Sequence, residues 1–222
     1  MSILNYAKQS SWPNGFGFQQ SPIDLRQATT TVDTDMTILT PWMTDQEIDD
    51  QVTIRLAGQG TTRINETTWT FVQAHFHVPA EHIVAEKTVA ELHFVHQSAI
   101  GALCVVAVLV PVGQANPIMA DVLDHFQPHV TQPINFDLTR LLPKQGTVYH
   151  YLGSLTPPPL TEGVTWYVIE QTEITMSSNQ VARYQQFFEP NNRHVQAINR
   201  RPIFRGVFKQ LKRSAGDDPL HG

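Results

Sequence analysis

Along this chain apolar and polar residues alternate over short runs more often than they recur at helical spacing, and the alternation predicts strands. Val52-Thr53-Ile54-Arg55-Leu56 reads as a half-buried strand, with Gly58-Gln59-Gly60 as a turn and Thr61 to Ile64 as its return. Asn65-Glu66 marks a second turn, into a strand that carries Gln73-Ala74-His75-Phe76-His77 and ends at Pro79. Val89 to Val95 predicts the next strand. Leu103 to Val112 is almost uninterruptedly apolar and rich in valine, which predicts a central strand buried on both faces. Ser21-Pro22-Ile23-Asp24-Leu25 reads as a turn entering a short strand. Residues 1 to 20 mix Trp12, Pro13, Gly15, Phe16, Gly17 and Phe18, the composition of an irregular segment packed on the domain, and threonine-rich residues 27 to 47 show no assignable period.

Helical spacing occurs at two places. Asn116-Pro117 supplies a cap and a first-turn proline for the apolar stripe Ile118, Val122, Leu123 and Phe126. Ser177 or Ser178 caps a second helix from about Gln180 to Phe188. Both are packing elements, so the predicted class is mainly β with peripheral α: a single domain over residues 1–212, followed by a polar tail at 213–222.

Five of the ten histidines fall between Gln73 and His96. In a strand alternate side chains share a face, so Gln73, His75 and His77 project one way and Ala74 and Phe76 the other. On the next strand Glu91, His93 and Val95 share one face and Leu92, Phe94 and His96 the other. If the strands pair, three imidazoles converge, and three protein ligands are the pattern of a catalytic zinc with an open position. His82 and His96 fall outside this set.

Fifteen Lys and Arg against twenty Asp and Glu give a net charge of −5 without a basic block, which argues against nucleic acid as a partner. No apolar run approaches the ~18 residues of a membrane span. The start of the chain lacks the charged and apolar regions of a leader, and Cys104 is the single cysteine, so a cytoplasmic location is the expectation. Cys104, within the apolar run, reads as an inert buried thiol.

The segment Gly153-Ser154-Leu155-Thr156-Pro157-Pro158-Pro159 holds Thr156 in an extended geometry, because a residue before proline is pushed out of the helical region. Taken in order, Gln20-Ser21-Pro22-Ile23-Asp24, Gln73-Ala74-His75-Phe76-His77, Ala80-Glu81-His82, Ala90-Glu91-Leu92-His93-Phe94-Val95-His96, Gly153-Ser154-Leu155-Thr156, Pro158-Pro159, Trp166 and Asn199-Arg200-Arg201-Pro202 resemble the alpha-class carbonic anhydrases over nearly the whole chain. The resemblance implies a large twisted, mostly antiparallel sheet with short helices at its margins.

It also implies a zinc lyase interconverting carbon dioxide and bicarbonate, in which zinc-bound hydroxide attacks CO₂. Carbonic anhydrase is itself the type case of a three-histidine zinc that brings the pKa of water to about 7. By the resemblance His75, His77 and His93 are the ligands, and Gln73 and Glu91 accept from the outer ring nitrogens of His75 and His93. Thr156 donates to Glu81, leaving its oxygen able only to accept from the nucleophile. Val95, Leu103, Val105, Leu155 and Trp166 form an apolar wall for CO₂. Two departures stand out: Val52 occupies the place of a proton-shuttle histidine, so limited internal proton transfer is expected, and Pro157 replaces a residue that is often threonine beside the bicarbonate position. The competing readings are a non-catalytic binding module on the same scaffold and a zinc esterase.

Overall fold

The computed structural model describes residues 4–13, 17–84 and 86–213. Gly15, Phe16 and the tail expected beyond Arg213 therefore lie outside the described residues. Among the described residues ten strands, β1 (Thr30–Thr31), β2 (Thr34–Asp49), β3 (Ile54–Ile64), β4 (Thr67–His77), β5 (Ala90–Gln97), β6 (Leu103–Val110), β7 (Thr131–Pro133), β8 (Gln145–Ser154), β9 (Glu162–Glu170) and β10 (Phe204–Leu211), form one sheet in the order β1-β10-β8-β9-β6-β5-β4-β3-β2-β7. Most neighbours are antiparallel. β6 with β9, β1 with β10, and the start of β2 with the end of β10 are parallel.

The two faces of the sheet carry different cores. On one, Leu56, Ala74, Phe76, Leu92, Phe94, Val106 and Val108 pack with helices α1 (Pro117–His125) and α2 (Ser178–Tyr184). On the other, Val95, Val105, Ala107, Leu109, Tyr149, Tyr151, Trp166 and Val168 pack beneath Ile23, Leu25 and Val84. β6 serves both cores, which is why its sequence is apolar at nearly every position. α1 begins where the Asn116 side chain accepts from the Ile118 and Met119 amides, and it buries Ile118, Met119, Val122 and Leu123. α2 has a capping box between Ser177 and Gln180 and ends at Tyr184, one turn short of the expected Phe188. Among the described residues no helix is long and apolar enough to cross a membrane.

Three expectations need correction. Gly58-Gln59-Gly60 is not a turn, because β3 runs straight through it with a register shift against both neighbours. A side chain at Gly58 would meet the Met43 carbonyl oxygen at 2.2 Å and one at Gly60 the Pro41 carbonyl oxygen at 2.5 Å, so these glycines exist to let β2 pass close by. The strand expected after Ser21 is reduced to isolated bridges, Ile23 to Gln196 and Asp24 to Ile83, followed by a 3₁₀ turn at Leu25–Gln27. Residues 34–49, most of them within the stretch 27–47 that shows no assignable period, form the longest strand among the described residues. β2 changes register three times against β3, and each shift moves its buried positions to the other parity, which erases the period of two.

Candidate metal centre

Residues directly opposite each other in paired strands point to the same face, and this rule assembles the site from three adjacent rows across the sheet. The central row reads Arg55, His75, His93, Ala107 and Val168. The row on one side reads Ala57, Gln73, Val95, Val105, Trp166 and Tyr151. On the other side His77 lies opposite Glu91, and Glu91 opposite Leu109. The metal-binding and apolar residues expected from alternation thus occupy neighbouring positions on one face.

His75, His77 and His93 each bring one ring nitrogen within 4.8 Å of the others. The outer nitrogens are all committed. His75 Nδ1 donates to Gln73 Oε1 at 3.0 Å, His77 Nδ1 to the Asn191 carbonyl at 2.7 Å and His93 Nε2 to Glu91 Oε1 at 2.9 Å. These partners leave His75 Nε2, His77 Nε2 and His93 Nδ1 without protons. His77 Nε2 is buried with no hydrogen-bond partner, and His75 Nε2 lies 3.3 Å from His93 Nδ1. Three inward lone pairs repel one another and satisfy no protein donor, but they suit a tetrahedral divalent cation with one position open. Burial lowers the pKa of all three rings, that of His77 to about 4, and the repulsion of His93, His77 and Arg55 adds to burial at His75, so the ligands are neutral at pH 7.

Glu91 is the centre's electrostatic anchor. Its Oε2 accepts from the Glu81 and His82 amides at 2.9 and 2.8 Å, and its Oε1 accepts from His82 Nδ1 at 2.6 Å as well as from His93. Burial alone would raise this carboxyl, yet its interactions with His82 and His93, the hydrogen bonds from their rings among them, hold it well below the usual carboxylate range. His82 is therefore no bystander. Its Nε2 accepts from the Tyr151 hydroxyl at 2.7 Å, and that oxygen is 2.8 Å from Ser21 Oγ, which in turn accepts from the Ser154 amide at 3.0 Å. The chain of bonds ties β5 to the start of the proline segment. His82, Glu91 and His93 also lie within 4.8 Å of one another, but their facing atoms are consumed by these hydrogen bonds and not free for a metal. His96 faces the opposite core, between Trp42 and Phe71, with Nδ1 donating to the Phe94 carbonyl at 2.9 Å.

Asn191 and Arg193, unmarked in the sequence, complete the surroundings. The Asn191 amide nitrogen donates to the Val52 and Phe76 carbonyls at 2.9 and 2.7 Å, and its oxygen accepts from the Val78 amide at 2.8 Å, which fixes the carbonyl that holds His77. The Arg193 amide donates to Glu81 Oε1 at 2.7 Å. Glu81 Oε2 is buried, makes no hydrogen bond and lies 4.0 Å from His93 Nε2. Burial pushes the Glu81 carboxyl up to about 7, against the opposing influences of His93, of the Arg193 amide and of the nearby Thr156 hydroxyl. Thr156 is buried, Leu155 and Pro157 are half-buried, and Trp166 stacks edge-on to His93 with ring centres 5.0 Å apart. Val95 and Val105 are buried and Leu103 half-buried on the same face. Val52 lines a cleft of about 710 Å³ with Tyr6, Gln51, Asn191 and His194.

Residues 7–207 match the family described as eukaryotic-type carbonic anhydrase. A carbonic anhydrase of Pectobacterium carotovorum is 33% identical over 195 residues, covering 84% of this chain and 80% of its own. Among solved structures, the alpha-carbonic anhydrase of Photobacterium profundum superposes with a TM-score of 0.78 at 29% identity, covering 90% of this chain and 92% of its own. That of Thermovibrio ammonificans, solved with sulfanilamide, gives 0.78 at 30% identity over 84% and 86%. With its three-histidine centre on the face of a ten-stranded sheet, the chain belongs to the alpha, or eukaryotic-type, carbonic anhydrase family.

Proposed function

We propose that this carbonic anhydrase hydrates CO₂ with Thr156 and Glu81 orienting the attack, and that it exports the product proton mainly to buffer. The observation that carries the reading is the convergence of three unprotonated ring nitrogens, each fixed from behind by its own acceptor. A zinc ion held there supplies the Lewis acidity that makes hydroxide available at neutral pH. His75, His77 and His93 hold the metal, and Gln73, Asn191 and Glu91 keep each ring in the required tautomer.

Glu81 is anchored through Oε1 to the Arg193 amide, which leaves Oε2 to accept from the Thr156 hydroxyl. Burial disfavours its charge, and the cation bound by the neighbouring histidines favours it, so the ionised form needed for that bond is the form present in the loaded enzyme. With its hydroxyl hydrogen donated in a hydrogen bond to Glu81, Thr156 can only accept from the nucleophile, which aims a lone pair of the nucleophile at the substrate. Val95, Leu103, Val105, Leu155 and Trp166 present an apolar wall to a small uncharged molecule, and Pro157 presents neither hydroxyl nor amide to the product.

Val52 has an aliphatic side chain and cannot carry a proton. Stopped-flow CO₂ hydration on zinc-quantified protein should therefore rise with imidazole buffer concentration, and Val52→His should raise the rate mainly in weak buffer. A parent rate indifferent to buffer would remove the proton-export account; stoichiometric zinc without CO₂ hydration would remove the catalytic reading itself.

A further inference from the structure

Arg55 stands directly opposite His75 in the β3–β4 ladder, on the metal-binding face, with Ile54 and Leu56 buried in the opposite core. It is the cationic end of the row that continues through His75 and His93. The side chain is 39% exposed, yet its Nε is buried and makes no hydrogen bond, and the nearest acid, Asp50 Oδ2, is 3.6 Å from that nitrogen with Asp50 itself half exposed. This pair is neither bidentate nor within hydrogen-bond distance, and such a contact contributes little to stability. A guanidinium has five donors in a planar fork suited to a planar oxyanion. The segment from Pro157 to Pro159, following the Thr156 that neighbours Glu81, offers no backbone donor at three successive positions.

We propose that Arg55 is the anion-recognising residue of the metal centre, binding bicarbonate and other small planar monoanions, with Asp50 moderating that affinity by competing for the guanidinium. The proposal rests on the catalytic reading above for the identity of its natural anion, not for the existence of the subsite. Bicarbonate is the one anionic partner of the reaction, and a fixed cation in the ligand row attracts it on entry for dehydration and retains it on exit after hydration. Asp50 prevents that retention from becoming tight. A lysine at position 55 would keep the charge and lose the fork, so it should recover only part of the affinity.

The test uses cobalt(II)-substituted full-length protein with acetate and then bicarbonate as probes, followed by the visible absorption of the metal and requiring no turnover. Arg55→Gln should weaken both anions about tenfold, Arg55→Lys should fall between it and the parent, and Asp50→Asn should strengthen them several-fold. Parent-like affinity in Arg55→Gln overturns the proposal. If that variant failed to load metal, the half-exposed Asp50→Asn would decide alone, and unchanged affinity there would overturn it equally. Parallel CO₂ hydration by the parent separates the two readings: a parent that binds anions through Arg55 but does not hydrate CO₂ sinks the catalytic reading only, and an active parent whose anion affinity ignores both substitutions sinks the Arg55 subsite only.

Discussion

Each ring at the centre is held by an acceptor of a different kind: a neutral amide at His75, a backbone carbonyl at His77 and a carboxylate at His93. Glu91 matters most because its four accepted bonds join two histidines and two amides. Glu91→Gln keeps the volume but removes the charge and replaces one oxygen with a donor, so zinc affinity should fall about 10- to 100-fold, as is usual for residues that orient metal ligands; competition with a chelator, read as bound zinc, measures it. His93→Ala should lose zinc and nearly all activity, and stoichiometric zinc with full turnover would exclude His93 from the centre. Gln73 and Glu91 were legible because each precedes its histidine by two positions and therefore shares its face. Asn191 was not, because a backbone carbonyl acts there and any residue type has one. His82 read as a bystander because alternation says nothing about a loop residue.

Between elements, close approach replaces periodicity as the governing constraint. The bulged stretch of β2 from Pro41 to Thr44, paired alongside β3, leaves no room for a Cβ at Gly58 or Gly60. Because the obstructing atoms at Gly60 are backbone carbonyl and Trp42, Gly60→Ala should cost about 2–3 kcal/mol, which for a domain of this size lowers Tm by roughly 5–10 °C in calorimetry. A variant melting within a degree or two of the parent would show that β2 shifts freely. The two glycines suggested a turn because glycine pairs are commonest in turns. Only the bulged neighbouring strand reveals the other reason for them. The helices were legible from their caps, which are local chemistry, whereas beyond Tyr184 the chain leaves α2 in hydrogen-bonded turns, and that side chain's hydroxyl bonds Thr53 and the Phe76 carbonyl.

For the whole molecule, the buried histidines set a pH dependence. His96 is enclosed by Trp42, Phe71 and Phe94, and burial lowers its pKa to about 4, below the usual value near 6.5. A depressed folded-state pKa means that the unfolded chain binds the proton first. The neutral ring's contribution is complete above pH ~6.5 and is lost as pH falls through about 4, on the order of 3 kcal/mol in all. Urea unfolding of zinc-loaded protein at pH 7, 5.5 and 4.5 should therefore show a shallower decline for His96→Gln than for the parent, since the metal ligands contribute equally to both; parallel declines would assign the acid sensitivity elsewhere.

The sequence by itself determined which side chains share a face, because that follows from the two-residue repeat of an extended backbone and needs no knowledge of neighbours. This was enough to group His75 with His77 and Gln73, to group His93 with Glu91 and Val95, and to mark β6 as buried on both sides. The tertiary structure alone decided the lateral rows: that Arg55 ends the line of His75 and His93, that Asn191 closes on His77 from 114 residues away, and that a bulged β2 presses on two glycines of its neighbour β3. Strand order and register are set by pairing between segments distant in the chain, and no local repeat encodes them.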